Sequence, residues 1–297
     1  MIGLVFYYYV PYNPKTLQRE KNYINITGSV VDMFEYYIAI LEYNPEFQLI
    51  LVDMPPVVFN TLDRMFNARY ELGDLDYKKN IKFVKSNWLL WHRFEKALIL
   101  DYGTIRAING LIQADEITVI SELYSEDPAY FLSKDLYNVT YFGEMPFVYK
   151  DVSYELGFLL KRYKEVKDTL GGVFFNIPSN ALPSPKGQPE CNRSITHEYR
   201  LKKAKELGYE DVIIKPTDMH ISNLFSLFDT YIYYHARGAF DARPRLFVEC
   251  YHYGKNIQYI NPDKIQDGSW YRYKDVMDNG IKHRELTKDD AIVRRFV

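Results

Sequence analysis

Continuous apolar runs alternate with amphipathic stretches along most of this chain, and that alternation constrains the fold more than any other feature. A strand with one wet face alternates apolar and polar residues, whereas a strand buried on both faces reads as an unbroken apolar run. Ile2 to Tyr9 is such a run. Gly28-Ser29 then opens a helical stretch with Val30, Val31, Phe34, Tyr37, Ile38 and Leu41 at helical spacing. Phe47 to Val52, Ile81 to Val84, Lys96 to Leu100 and Ile117 to Ile120 read as further strands, with Ile105 to Ile112 helical between the last two. Asp127-Pro128 starts another helix, Asp as cap and Pro in the first turn, and Tyr137 to Phe142 follows as a strand. Strands separated by helical crossovers predict a parallel α/β sheet.

A charged segment, Tyr154 to Asp168, interrupts the pattern, and Val173 to Asn176 restarts it after Gly171-Gly172. Pro178 to Glu190 is loop by its Pro, Ser and Gly content. A Lys- and Arg-rich helix runs from about Ser194 to Leu207 and stops at Gly208. Val212 to Ile214, Thr230 to Tyr234 and Asn256 to Ile260 are strands, Ser222 to Phe228 is helical, and Thr287 with Asp290 starts a last short helix. Two Rossmann-like parallel-sheet domains are expected, residues 1–167 and 168–297, facing a central cleft at the carboxyl ends of their strands.

With 297 residues, 47% hydrophobic and 26% charged, the chain is large enough for two ordinary domains with real cores. The net charge of −2 excludes a generally basic nucleic-acid coat, so any nucleic-acid contact must come from a local patch. Cys191 and Cys250 suggest neither a disulfide framework nor a zinc site. No stretch approaches the ~20 apolar residues that span a bilayer. The opening MIGLVFYYYVPYNP lacks a basic region and a cleavage site, so a cytoplasmic location is expected. The GxGxxG, GxxxxGK and HExxH motifs are absent, which removes the usual dehydrogenase, P-loop and zinc-protease readings.

The densest chemistry lies in Phe228 to Tyr253, FDTYIYYHARGAFDARPRLFVECYHY. Arg243 and Arg245 open a helix whose N–H groups point outward, a favourable place for an anion. Glu249 lies one turn after Arg245 on the same face, where it can accept hydrogen bonds from a ribose. The alternative is an Arg–Glu pair on a solvated helix face, worth ~0.3–0.5 kcal/mol. Asp101 ends a strand, the position of a general base, or else caps the helix near Thr104. Arg193 and Arg200 sit at and within the first helix of the second half, and His235 ends a strand beside the Arg–Glu loop. Asp74-Leu75-Asp76 matches a DxD pattern that holds a divalent ion, but beside Gly73, Lys78 and Lys79 it reads better as a solvated turn.

This combination resembles the GT-B glycosyltransferases, and among them the bacteriophage DNA beta-glucosyltransferases. The stretches carrying the likeness are ITVISELYSEDPAYF, LYNVTYFGEMPFVY, LILDYGTIR, RSITHEYRLKKAKELG and YIYYHARGAFDARPRLFVEC, in the family's order along the chain. Glu249 follows Arg245 by four and Arg243 by six, where the family has three. The resemblance implies sugar transfer from a uridine diphosphate sugar to the hydroxyl of a hydroxymethylated base in duplex phage DNA, with the base flipped out to be reached. Asp101 would take the acceptor proton; Arg243, Arg245 and Arg193 would neutralise the sugar donor's diphosphate, Arg200 and His235 would also bind the donor, and Glu249 would hold its ribose. Gly28 and Ser29 would contact sugar donor or acceptor. No tightly bound cofactor is implied, a divalent metal remains compatible, no membrane is expected, and the compartment would be the host cytoplasm. Two rivals stand beside it: a GT-B enzyme acting on a glycan, lipid or protein, which the near-neutral charge favours, and a nucleotide-sugar-binding protein without catalysis.

Overall fold

The structure, a computed structural model, describes residues 1–8, 12–13, 18–19, 28–100, 104, 107–108, 110–121, 140–141, 147–150, 162–166, 170–178, 197–214, 224–236, 244–266, 268–280 and 291–297. The chain divides into two compact units. The first is Met1–Asn67, Leu72–Ser153 and Arg284–Val297; the second is Ala68–Glu71 and Tyr154–His283. This partition differs from the expected 1–167 and 168–297 in its boundary, which falls after Ser153, and in two exchanges of chain. Residues 68–71 join the second unit because Lys164 N donates to Arg69 O at 2.9 Å and Tyr70 bridges antiparallel to Tyr163. The last helix joins the first unit because the Phe296 ring meets Phe47 at 5.5 Å and the Phe296 carbonyl accepts from the Asn44 amide.

In the first unit, β1 (Ile2–Tyr7) leads through a short antiparallel pair, β2 (Tyr12–Asn13) and β3 (Gln18–Arg19), to α1 (Gly28–Leu41). β4 (Gln48–Val52), α2 (Pro56–Arg69), β5 (Ile81–Val84), β6 (Arg93–Leu100), β7 (Gln113–Ser121), β8 (Thr140–Tyr141) and β9 (Phe147–Lys150) follow. The order β5-β4-β1-β6-β7-β8, with β9 also beside β7, is parallel throughout. It is a doubly wound sheet whose strand order reverses between β1 and β6. Leu4, Val5 and Phe6 are all buried, as a central strand covered on both faces requires. Thr104 folds over the end of β1, its Oγ1 accepting from Tyr7 N at 3.2 Å.

Two findings here depart from the sequence pattern. α1 was expected to keep one wet face, yet every residue from Met33 to Leu41 is buried, Glu35 included. Phe34 stacks on Phe66 of α2 at 3.7 Å, and Tyr37 on Phe47 at 6.2 Å, so neighbours cover it on several sides. α2 is a helix the apolar runs do not announce, although Val58, Phe59, Leu62, Met65 and Phe66 recur at helical spacing and are buried.

The second unit contains β10 (Gly172–Asn176), α3 (His197–Glu206), β11 (Val212–Ile213), β12 (Phe228–Tyr234), α4 (Arg245–His252), β13 (Asn256–Ile260) and α5 (Gly268–Asn279), the last also unforeseen. The closing helix of the first unit is α6 (Ala291–Phe296). The second sheet runs β11-β10-β12-β13, all parallel, and reverses between β10 and β12. A Cβ at Gly172 would lie 2.6 Å from the Leu227 carbonyl oxygen and 2.9 Å from Ile213 Cδ1, so only glycine fits the start of β10. The chain is therefore α/β with two parallel sheets, as expected. Among the described residues no helix is long and apolar enough to cross a membrane.

Candidate functional site

The point where strand order reverses leaves a crevice outside the carboxyl ends of two adjacent strands, and ligands of open α/β sheets bind there. In the second unit these ends are Asn176 with Ile177 and Tyr234 with His235. Arg200, from α3, donates through Nε (3.1 Å) and Nη2 (2.9 Å) to the Ile177 carbonyl, one residue past β10. Burial pulls its guanidinium below the ordinary value.

His235 follows the last residue of β12 and is buried. Its backbone N–H donates to the Ile260 carbonyl at 2.8 Å. Its Nδ1 lies 2.7 Å from the Tyr259 hydroxyl, which in turn lies 3.1 Å from Ser269 Oγ. Tyr259 also stacks against Tyr233 and Tyr273, at 5.3 and 4.8 Å, so the histidine is held from one side by a rigid aromatic shelf. β10 and β12 pair in register from Val173↔Thr230 to Asn176↔Tyr233, so Arg200 and His235 serve the same end of neighbouring strands.

α4 carries the chain from the end of β12 back to the start of β13. The Arg–Glu spacing at its start does bring the two side chains together, but not on a solvated face. Glu249 is only 1% exposed and Arg245 10%. Arg245 Nε donates to Glu249 Oε1 at 2.8 Å, and its Nη2 to the Tyr163 hydroxyl at 2.5 Å. Tyr163 closes the ring by donating to the same Oε1 at 3.3 Å. A residue not anticipated from sequence completes the cluster: Arg69 Nη1 stands 3.1 Å from Oε1 and is 4% exposed. The Arg69 guanidinium also lies 5.9 Å from the ring centres of Tyr70 and Tyr163.

Burial alone would push the Glu249 carboxyl up, but Arg69 and Arg245, with the hydrogen bonds from Arg245 and Tyr163, hold it below the usual carboxylate range. Burial likewise pulls Arg69 down, and Glu249 outweighs it, so this guanidinium is raised. Both groups are charged. All these contacts converge on Oε1. Glu249 Oε2 is buried with no hydrogen-bond partner among the described residues. A buried acceptor left in that state costs about 1–3 kcal/mol, and native proteins keep few of them.

In the first unit, β6 ends at Leu100, beside β1 at the reversal point, so Asp101 is the next residue along the chain from a switch-point strand. Asp101 itself lies outside the described residues, as do Arg193, Arg243 and the Asp127-Pro128 helix start. Gly28 and Ser29 begin α1, which follows β1 and its hairpin. Asp74 and Asp76 are exposed in a turn before a 3₁₀ segment, and among the described residues no group of acids, histidines and cysteines is arranged to hold a metal. Among the cations of the first unit that a nucleic acid could meet, Lys78 pairs with Asp63, Lys85 with Asp53 and Arg93 with Asp115. Lys79 and Lys82 are exposed, with no ion-pair partner among the described residues; Arg106 lies outside them.

No protein-family model, curated protein or solved structure matches this chain.

Proposed function

We propose that this protein is a nucleotide-sugar-dependent glycosyltransferase of GT-B type, transferring a sugar from a uridine diphosphate sugar to the hydroxyl of a hydroxymethylated base in DNA. The observation that carries the reading is the position of three residues along one parallel sheet of 2-1-3-4 order: Arg200 holds the carbonyl just past β10, His235 follows β12, and Arg245 opens the next described helix. Cationic and N–H donors grouped in this way suit a diphosphate. Glu249 is assigned to the ribose, and Arg193 and Arg243 add positive charge.

In the reaction, the acceptor oxygen bonds to the anomeric carbon as the bond from that carbon to the β-phosphate oxygen breaks. Asp101 takes the acceptor proton, and the arginines stabilise the negative charge gathering on the departing uridine diphosphate. Gly28 and Ser29, at the start of α1 after the switch-point strand β1, contact the sugar or acceptor. A divalent metal is compatible with this scheme and is not required by it.

Calorimetric titration tests the sugar-donor site. Uridine diphosphate is expected to bind far more tightly than uridine, because the site is built for the diphosphate. Equal binding of the two, or none, contradicts the reading. The acceptor is the more specific part of the proposal, and a glycan, lipid or protein acceptor is the competing outcome.

A further inference from the structure

Counted along the chain, the strands of the first sheet lie third-second-first-fourth-fifth, as β5-β4-β1-β6-β7. That is the order of the doubly wound nucleotide-binding sheets, in which an acid at the carboxyl end of the second strand accepts hydrogen bonds from ribose hydroxyls. Asp53 stands in that place, directly after β4. Its φ is 55°, and among the described residues Lys264 alone joins it in the left-handed region without being glycine. The Asp53 N–H, donating to the Val84 carbonyl at 2.8 Å, holds it there. Asp63 accepts from the Asn67 amide and Asp115 from Arg93. The Asp53 carboxylate instead meets Lys85 Nζ at 3.8 Å, beyond hydrogen-bond length, and accepts no hydrogen bond among the described residues. Its side chain is 20% exposed, so a ligand can reach it.

Apolar surface lies beside it. Lys85 continues β5 in extended conformation, so it shares a face with Phe83. Phe83 meets the Phe59 ring of α2 edge-on at 5.2 Å yet is 42% exposed, and Val57, in the first turn of α2, is 59% exposed. We propose that the carboxyl edge of the first sheet holds a nucleoside site of its own: Asp53 accepts from the 2′- and 3′-hydroxyls of a ribonucleoside, and Phe83 and Val57 take the face of its base. A carboxylate has two oxygens to match a pair of hydroxyls. A base stacks on aromatic surface whatever its identity. The Gly-rich turn that cradles a dinucleotide's diphosphate is absent, so a single nucleoside suits this edge better than a dinucleotide. The residues assigned to the sugar donor's diphosphate belong to the second unit, so this site is separate from theirs.

Ligand-observed NMR titration with adenosine, guanosine, cytidine and uridine, each beside its 2′,3′-dideoxy counterpart, tests the site. Wild type, Asp53→Asn and Asp53→Gly are compared after thermal melts establish that each protein is folded. Glycine takes this φ without strain, and an exposed ion pair contributes little, so Asp53→Gly should melt within a few degrees of wild type. Wild type is expected to prefer at least one ribonucleoside over its dideoxy form by ~10-fold or more, the discrimination expected when hydrogen bonds to a charged group are lost. Asp53→Gly should bring that ratio close to one, and Asp53→Asn, which keeps one acceptor oxygen, should fall between. Wild type that binds no ribonucleoside, or binds both forms equally, overturns the site. A folded Asp53→Gly protein that keeps the wild-type ratio removes Asp53 from it and overturns the inference. Neither substitution should change the binding of uridine diphosphate, so failure here leaves the sugar-donor reading standing, and failure of that reading leaves this comparison intact.

Discussion

Arg69 and Glu249 meet at 3.1 Å with both side chains almost wholly buried, although they lie in distant parts of the sequence. The contact turns an ordinary one-turn Arg–Glu pair into a buried cluster of two arginines, one glutamate and a tyrosine. Exposed helical pairs contribute a few tenths of a kcal/mol. A buried pair behaves differently, because removing one partner strands the other charge away from water.

Glu249→Gln keeps the shape and removes the charge. It leaves Arg69 and Arg245 facing a neutral amide, so the protein should lose about 3–5 kcal/mol of stability. Urea unfolding of the two proteins measures this. A loss within a few tenths of a kcal/mol would return the pair to the status of a surface contact.

The same carboxylate gives stability a pH dependence. Its folded pKa is depressed, so the unfolded state binds the proton more readily. Its contribution is therefore fully present above the unfolded value of about 4.3 and is lost as pH falls through the lower folded value. The stability gap between wild type and Glu249→Gln should be constant from about pH 7 down to about pH 5 and close at lower pH. A gap that widened on acidification would have the wrong sign.

Much of the fold was legible in the sequence because its strands are buried on both faces. β10, β12 and β13 were found to within two residues by their apolar runs, and the Arg245–Glu249 contact followed from helical spacing. What surrounds that contact was not legible. Burial of Glu249 depends on Tyr163 and Arg69, brought in by a backbone pairing that no local pattern encodes. α2 was legible in principle, through Val58, Leu62 and Met65, but two prolines at its start and its charged face masked the period.

Gly172→Ala should destabilise the second unit by about 1–3 kcal/mol, since the new methyl meets the Leu227 backbone carbonyl and Ile213 at the start of a switch-point strand. Thermal melting reports it. An unchanged midpoint would show that this end of β10 yields without cost.

If DNA is the acceptor, the exposed Lys79 and Lys82, which have no ion-pair partner among the described residues, are the first cations to test, because Lys78, Lys85 and Arg93 already face carboxylates. Changing both to glutamine should reduce the slope of log affinity against log salt by about two. Fluorescence anisotropy with a labelled duplex reads the slope. An unchanged slope removes β5 and its approach from the DNA-contacting surface.

Asp101→Asn should leave uridine diphosphate binding near normal while turnover falls by ~10²–10⁴-fold, as loss of a general base requires. Single-turnover transfer with a fixed excess of folded enzyme separates this from a capping role, in which the melting temperature falls and turnover per folded molecule is kept.

Sugar transfer to a modified base changes the mass of the product nucleoside, and mass spectrometry reads that change. The protein is incubated with each of several uridine diphosphate sugars and duplex DNA carrying hydroxymethylcytosine or hydroxymethyluracil, and the DNA is then digested to nucleosides. One modified nucleoside should appear heavier by the mass of a hexose or pentose residue, formed with wild type and absent with Asp101→Asn. Nucleosides of unchanged mass with every sugar donor would contradict it.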